Sequence, residues 1–139
     1  MSLIPAAIRQ AFGGSPVQED ITVVRGSLFE RQFQFQGCSG DGEAIPEGLE
    51  LEAEIRNDAG DLIVALQAEW LDRSEGLMVL RLSVSASNEI AALFPLRHRQ
   101  NFSRVGRWSA RIYNPDDAQD SLTFVLGSVS AGQNVAGGI

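Results

Sequence analysis

Residues 48–58 read Gly48-Leu49-Glu50-Leu51-Glu52-Ala53-Glu54-Ile55-Arg56-Asn57-Asp58, and apolar and charged residues alternate without a slip from Leu49 to Arg56. A period of two sends Leu49, Leu51, Ala53 and Ile55 to one face of a strand and Glu50, Glu52, Glu54 and Arg56 to the other. That is the pattern of a half-buried antiparallel strand with one wet, acidic face. Asp58-Ala59-Gly60-Asp61 supplies a turn. Leu62, Val64, Leu66, Ala68 and Trp70 then repeat the alternation, so the two runs are expected to pair as a hairpin. The stretch specifies architecture and carries no reaction chemistry.

The same reading extends both ways. Ile21-Thr22-Val23-Val24 is β-branched and predicts a strand. Gly26 permits a bend, after which Phe29, Phe33 and Phe35 share a face against Glu30, Gln32, Gln34 and Gln36, with Arg31 intruding on the phenylalanine side. Residues 37–48 form a polar loop, and residues 71–76 another turn. Met78, Leu80, Leu82 and Val84 mark a further strand with Arg81 and Ser83 outward. Residues 85–95 break the pattern as a short helix, capped by Ser85 or Ser87, with Ile90, Leu93 and Phe94 on one side and Pro95 ending it. After a polar loop over 97–103, Trp108, Ala110 and Ile112 set the inner face of a strand over 105–113. Asn114-Pro115-Asp116-Asp117 is a turn. Leu122, Phe124 and Leu126 open a last strand that runs through Val129. About seven strands with regular turns and one helical insertion predict an all-β sandwich of residues 20–130. A flexible Gly-rich C-terminal tail is expected over 131–139.

Residues 1–19 read as an arm. Ser2 is placed to cap a short helix with Pro5 in its first turn. Ile4, Ile8, Ala11 and Phe12 share a stripe, and Gly13-Gly14-Ser15-Pro16 ends it. A helix this short does not persist alone in water. Its stripe needs a support, either the domain's own sheet or a neighbouring subunit.

The 139 residues suit one domain, and their formal charge of −7 argues against general binding to nucleic acid or membrane surfaces. No apolar run is long enough to span a bilayer, and the N-terminus lacks the pattern of a signal peptide. The single Cys38 forms no internal disulfide, which points to a reducing compartment. Acidic residues crowd 41–61, whereas Arg97, Arg99, Arg104, Arg107 and Arg111 crowd a later section. Every basic side chain is arginine.

No catalytic, cofactor or metal set emerges. His98, the sole histidine, sits between Arg97 and Arg99, which disfavour its protonated form. Cys38 has acidic neighbours that do not promote a thiolate. One Cys and one His cannot build a zinc site. Asp116, Asp117 and Asp120, or Asp41 and Glu43, lack a calcium-loop pattern and read as turn residues. Glu50, Glu52 and Glu54 project from one strand face rather than flanking a bond as glycosidase acids must. Gly13-Gly14 and Gly137-Gly138 lack the setting of a phosphate loop.

The order of elements resembles the N-terminal domain of phage upper baseplate and tail-fibre connector proteins. The likeness rests on the aromatic-rich strand pair, the Gly- and acid-rich loop, the run over 49–56 with its Asp/Gly turn, and the short helix over 87–95. It continues with Arg107-Trp108-Ser109-Ala110-Arg111-Ile112-Tyr113 and the closing segment 121–129. It spans about residues 20–130. The resemblance implies an immunoglobulin-like antiparallel β-sandwich that serves as a virion structural protein, assembled in the host cytoplasm, working by assembly and not as an enzyme. The chain ends where such proteins often carry a receptor-binding or coiled-coil extension, so a free-standing connector, baseplate or capsid decoration subunit is the expectation. Expected partners are other virion proteins and further copies of the chain. The expected interface joins Leu3, Ile4, Ile8 and Phe12 of the arm, the face of Glu50, Glu52 and Glu54, and the arginines Arg97, Arg99, Arg104, Arg107 and Arg111, with the acidic face of one copy meeting the basic patch of the next. A competing expectation is a small carbohydrate-binding sandwich stacking sugars on Trp70, Trp108 and Tyr113, although alternation puts both tryptophans on core faces.

Overall fold

The computed structural model describes residues 2–12, 15–36, 40–96 and 101–132. Among these the strands are β1 (Val17–Gln18), β2 (Ile21–Val24), β3 (Phe29–Gln34), β4 (Glu50–Arg56), β5 (Leu62–Asp72), β6 (Leu77–Leu82), β7 (Phe102–Asn114) and β8 (Asp117–Gly132). Two helices, α1 (Ala6–Ala11) and α2 (Val84–Leu93), complete the set with one short 3-10 turn after β5. The alternation around β4 is realised as read: Leu49, Ala53 and Ile55 are buried while Glu50 and Arg56 are exposed. The hairpin to β5 also forms. The Gly60 N–H donates to the Asn57 carbonyl at 3.0 Å, and the Asp61 N–H donates to Asn57 Oδ1 at 2.9 Å. Gly60 sits at φ 92°, a conformation that a residue without Cβ adopts freely.

The strands order as β1-β8-β7-β4-β5-β6-β3, with β2 also beside β8. β5 serves both layers: Leu66 pairs with Ala53 of β4, whereas Gln67 pairs with Arg81 of β6. The sheet therefore curls over onto itself. Its two layers meet through aromatic rings, with Phe33 centred 6.3 Å from Trp108 and Phe35 5.0 Å from Phe124. The chain is an all-β, immunoglobulin-like sandwich. Strands β8, β7 and β4 lie side by side as G, F and C do in that architecture, and β3 and β6 pair as B and E. Phe33 and Trp108 join β3 to β7, the pair of strands that antibody domains join by a disulfide.

The sandwich departs from the expected antiparallel plan at one edge. β1 and β2 run parallel to β8, with Val17 opposite Val125 and Ile21 opposite Val129. The offset is the same for both, so they are one strand bent at Glu19-Asp20. The bend is pinned by Trp108, whose Nε1–H donates to the Glu19 carbonyl at 2.7 Å. Gly127 makes room for it, since a Cβ there would collide with the Glu19 carbonyl oxygen. Hence residues 17–18, read as part of the arm, belong to the sandwich. Ala131 and Gly132, read as tail, close β8; residues 133–139 lie outside the described residues.

Three further differences have local causes. Val84 opens α2 rather than ending β6, because Ser83, not Ser85 or Ser87, caps the helix by accepting the Ala86 N–H at 3.1 Å. Leu93 is consequently 65% exposed, while Ile90 is buried. Leu62 is 53% exposed because a bulge lets Ile55 oppose Val64 but Arg56 oppose Leu62. A second bulge in β8, where Ala110 opposes Val125 and Arg111 opposes Thr123, shifts the inward set from Phe124 to Val125, Val129 and Ala131. Leu126, read as inward, is thereby turned to the half-exposed face.

The arm docks on its own domain. Ile4 and Ile8 are buried in the common core, and Phe12 packs edge-on against Phe35 at 5.9 Å. Enclosing a residue such as Ile8 contributes about 1.5–3 kcal/mol. Pro5, expected inside the first turn, is the N-cap, and the Ser2 hydroxyl instead accepts the Ile4 N–H just before the helix. A buried carboxylate latches the segment: Asp120 accepts from the Leu3 N–H at 2.8 Å, from the Ser2 hydroxyl, and from Arg9 at 2.6 Å.

Candidate interaction face

The outer surface of β4, β7 and β8 is built by register. Glu50 lies opposite Tyr113, Glu52 opposite Arg111, Glu54 opposite Ser109 and Arg56 opposite Arg107. On the far side of β7, Ser128 opposes Arg107 and Leu126 opposes Ser109. Gln18 of β1 follows Leu126. From Arg107 onward the odd-numbered residues of β7 face outward because Trp108, Ala110 and Ile112 take the core; before the register shift at Arg104–Gly106 the parity is reversed, with Val105 buried and Arg104 exposed.

The acidic and basic segments that the sequence separates are thus adjacent in one sheet. Arg111 pairs with Glu52 at 3.0 Å and lies over the Tyr113 ring at 4.6 Å from its centre. The Tyr113 hydroxyl donates to Glu50 at 3.2 Å. Arg56 pairs with Glu54 at 2.7 Å and donates to the Gly60 carbonyl at 2.8 Å. Arg104 clasps Asp58 with two bonds of 3.0 and 2.9 Å. Of the three glutamates expected to meet arginines of another copy, Glu52 and Glu54 pair with arginines of this chain and Glu50 accepts from Tyr113. Half-buried ion pairs of this kind contribute little to stability individually.

Titration follows these contacts. Hydrogen bonds from Arg104 hold the Asp58 carboxyl below its ordinary range, and Asp58 in turn raises the Arg104 guanidinium. The Ser128 N–H, 2.9 Å from Asp20, lowers that carboxyl. Burial raises the Tyr113 hydroxyl, and its bond to Glu50 adds to the shift.

A shallow groove of about 570 Å³ runs along this face, lined by residues that include Gln18, Asp20, Arg104, Arg107, Leu126 and Ser128. Of the expected interface residues it gathers Glu54, Arg104 and Arg107, while Arg111, Glu50 and Glu52 lie on the same sheet beyond it. Ile4 and Ile8 are not available to a neighbour, since they fill the chain's own core; Phe12 is half-buried there and Leu3 is 36% exposed. Arg97, Arg99, His98 and Cys38 lie outside the described residues. Gln18, Asp20, Leu126 and Ser128 were not singled out from the sequence: the parallel pairing of β1 and the bulge in β8 bring them there, and neither leaves a periodic signal. The stacking platform does not form. Trp108 is 1% exposed, Trp70 packs on Phe35 at 6.3 Å, and only Tyr113 reaches the outer face. Among the described residues no group of three or more His, Cys, Asp or Glu converges. Asp117 instead accepts the Gln119 N–H, and Asp120 holds the arm.

No protein-family model matches this chain. No curated protein matches it either. Among solved structures, it is similar to the NK cell receptor Nkp44, a triggering partner in natural cytotoxicity, at 14% identity and TM-score 0.40, over 86% of this chain and 100% of that one. It is also similar to a VGSC beta subunit studied for multimeric cell-adhesive interactions, at 12% identity and TM-score 0.38, over 84% of this chain and 92% of that one.

Proposed function

We propose that the chain is a non-enzymatic structural subunit of a phage virion, a tail or baseplate connector or adaptor that works by protein–protein assembly. One observation carries the reading. Three of the segments that resemble connector domains, 49–56, 107–113 and 121–129, fall on β4, β7 and β8, which are adjacent strands of one sheet. The outward-facing residues of these segments thus share one continuous outer surface, and their inward-facing residues share one core. That surface is firm, since it is backed by the core side chains Trp108, Ile112 and Val129. It also presents arginine and tyrosine, which suits a docking face. Its partners are other virion proteins and further copies of the chain, and its location is the virion. Mass spectrometry of purified particles, with light scattering of the isolated chain, tests this. The expected result is the chain at fixed copy number in particles; its absence from them, with a monomer at every concentration, overturns the reading.

A further inference from the structure

The groove contains an electrostatic conflict that the described residues do not resolve. Arg56 and Arg107 are direct cross-strand partners on the same outer face. Like charges so placed repel and destabilise a sheet. Arg56 is partly neutralised by Glu54 at 2.7 Å. Arg104, the third arginine of the groove, is neutralised by Asp58 at 2.9 Å. Arg107 is exposed and, among the described residues, its side chain makes no hydrogen bond or ion pair; Asp58 acts on it only at longer range. Around it stand donors without a carboxylate of their own, the hydroxyl of Ser109 and the Gln18 amide, whereas Ser128 is engaged by Asp20. Leu126 borders this spot, and Leu62, the cross-strand partner of Arg56, is 53% exposed at the end of the same row.

We propose that Arg107, with the remaining N–H groups of Arg56 and the hydroxyl of Ser109, binds a single carboxylate from an acidic side chain on an extended segment of a partner protein. The guanidinium fork matches a carboxylate with two parallel bonds. One carboxylate relieves the repulsion between the two arginines. A polyanion does not fit the same place: Asp20 and Glu54 line the groove, Asp58 is held by Arg104, and the whole chain carries −7. Apolar neighbours of the acidic residue would rest on Leu126 and Leu62, which gives the contact a desolvated border. Taking the carboxylate's owner to be a protein rests on the assembly reading; the anion site itself does not.

The test is NMR titration of the full chain, following arginine Nε–H signals and backbone amides. The probes are the blocked peptide Ser-Leu-Glu-Leu-Ser, its Gln counterpart, and inorganic phosphate. The Glu peptide is expected to shift Arg107 and the amides of Ser109 and Ser128 saturably. The Gln peptide, and the Glu peptide on Arg107→Gln, should bind about tenfold more weakly or worse, as expected for loss of a charge-assisted pair. Arg107→Lys should recover part of the affinity. An otherwise unchanged spectrum of Arg107→Gln separates loss of the site from loss of the fold. Equal binding of Glu and Gln peptides, shifts confined elsewhere, or phosphate saturating the site as tightly as the peptide would each overturn the proposal. Absence of the chain from virions would overturn the assembly reading and leave this titration intact.

Discussion

Single residues carry more of this fold than their number suggests, and Asp120 is the clearest. It is a nearly buried charge, and its three arm partners outweigh its desolvation. Burial alone would raise its carboxyl, but bonds from Ser2, Leu3 and Arg9 hold it below the ordinary 3.8. A carboxylate with a folded value below its unfolded one adds stability above the unfolded value and loses it as pH falls through the folded value. Acid should therefore loosen the arm. Comparing urea midpoints at neutral pH and below the carboxylate range, wild type should lose more stability than Asp120→Asn. Asp120→Ala should cost about 1–3 kcal/mol at neutral pH, because it leaves buried donors unpaired. Ser87 is the opposite case: its hydroxyl is buried in α2 with no partner among the described residues. Ser87→Ala should raise stability by about 1 kcal/mol, read as a higher urea midpoint with an unchanged slope.

At the scale of elements, the arm and the bent first strand are where local pattern and tertiary contact diverge. A six-residue helix has no stability of its own, so α1 exists because Ile4, Ile8 and Phe12 complete the core. Ile8→Ala should cost about 2–5 kcal/mol, measured by chemical denaturation. The bend at Glu19-Asp20 depends on Gly127 lying bare beneath it. Gly127→Ala should force β1 off β8 while leaving the β4–β5 hairpin paired, a difference that hydrogen exchange of the two elements will read directly. The hairpin itself was legible because its residues are local and periodic. The bulges in β5 and β8 were not: an inserted residue shows itself only by the strand it fails to match.

The whole molecule reshapes the meaning of its charge pattern. Along the chain, acidic and basic sections look like two halves of an intermolecular contact. Folded, β4 and β7 lie side by side, and Glu52 and Arg111 neutralise one another. Glu52→Arg would face Arg111 in the same chain, so it should lower stability by up to about 1 kcal/mol in low salt and less in high salt. A loss of assembly in that variant would have two causes, whereas Arg107 variants remove a side chain with no intramolecular ion pair among the described residues. The candidate site was thus half visible: Arg104, Arg107 and Glu54 stood out as charges, but not as neighbours.

By itself the sequence determined the β class, the hairpin turning at Asp58-Ala59-Gly60-Asp61, the inner faces of β4 and β7, and the apolar stripe of the arm. All of these are set by periods of two or about four between near neighbours, which side-chain direction makes unavoidable. Only the tertiary structure decided where the arm lies, that the first strand runs parallel to the last, and that Arg107 has no ion-pair partner among the described residues. Those outcomes depend on pairing between segments a hundred residues apart, such as Ser2 with Asp120 and Val17 with Val125, and no local period records such a partner.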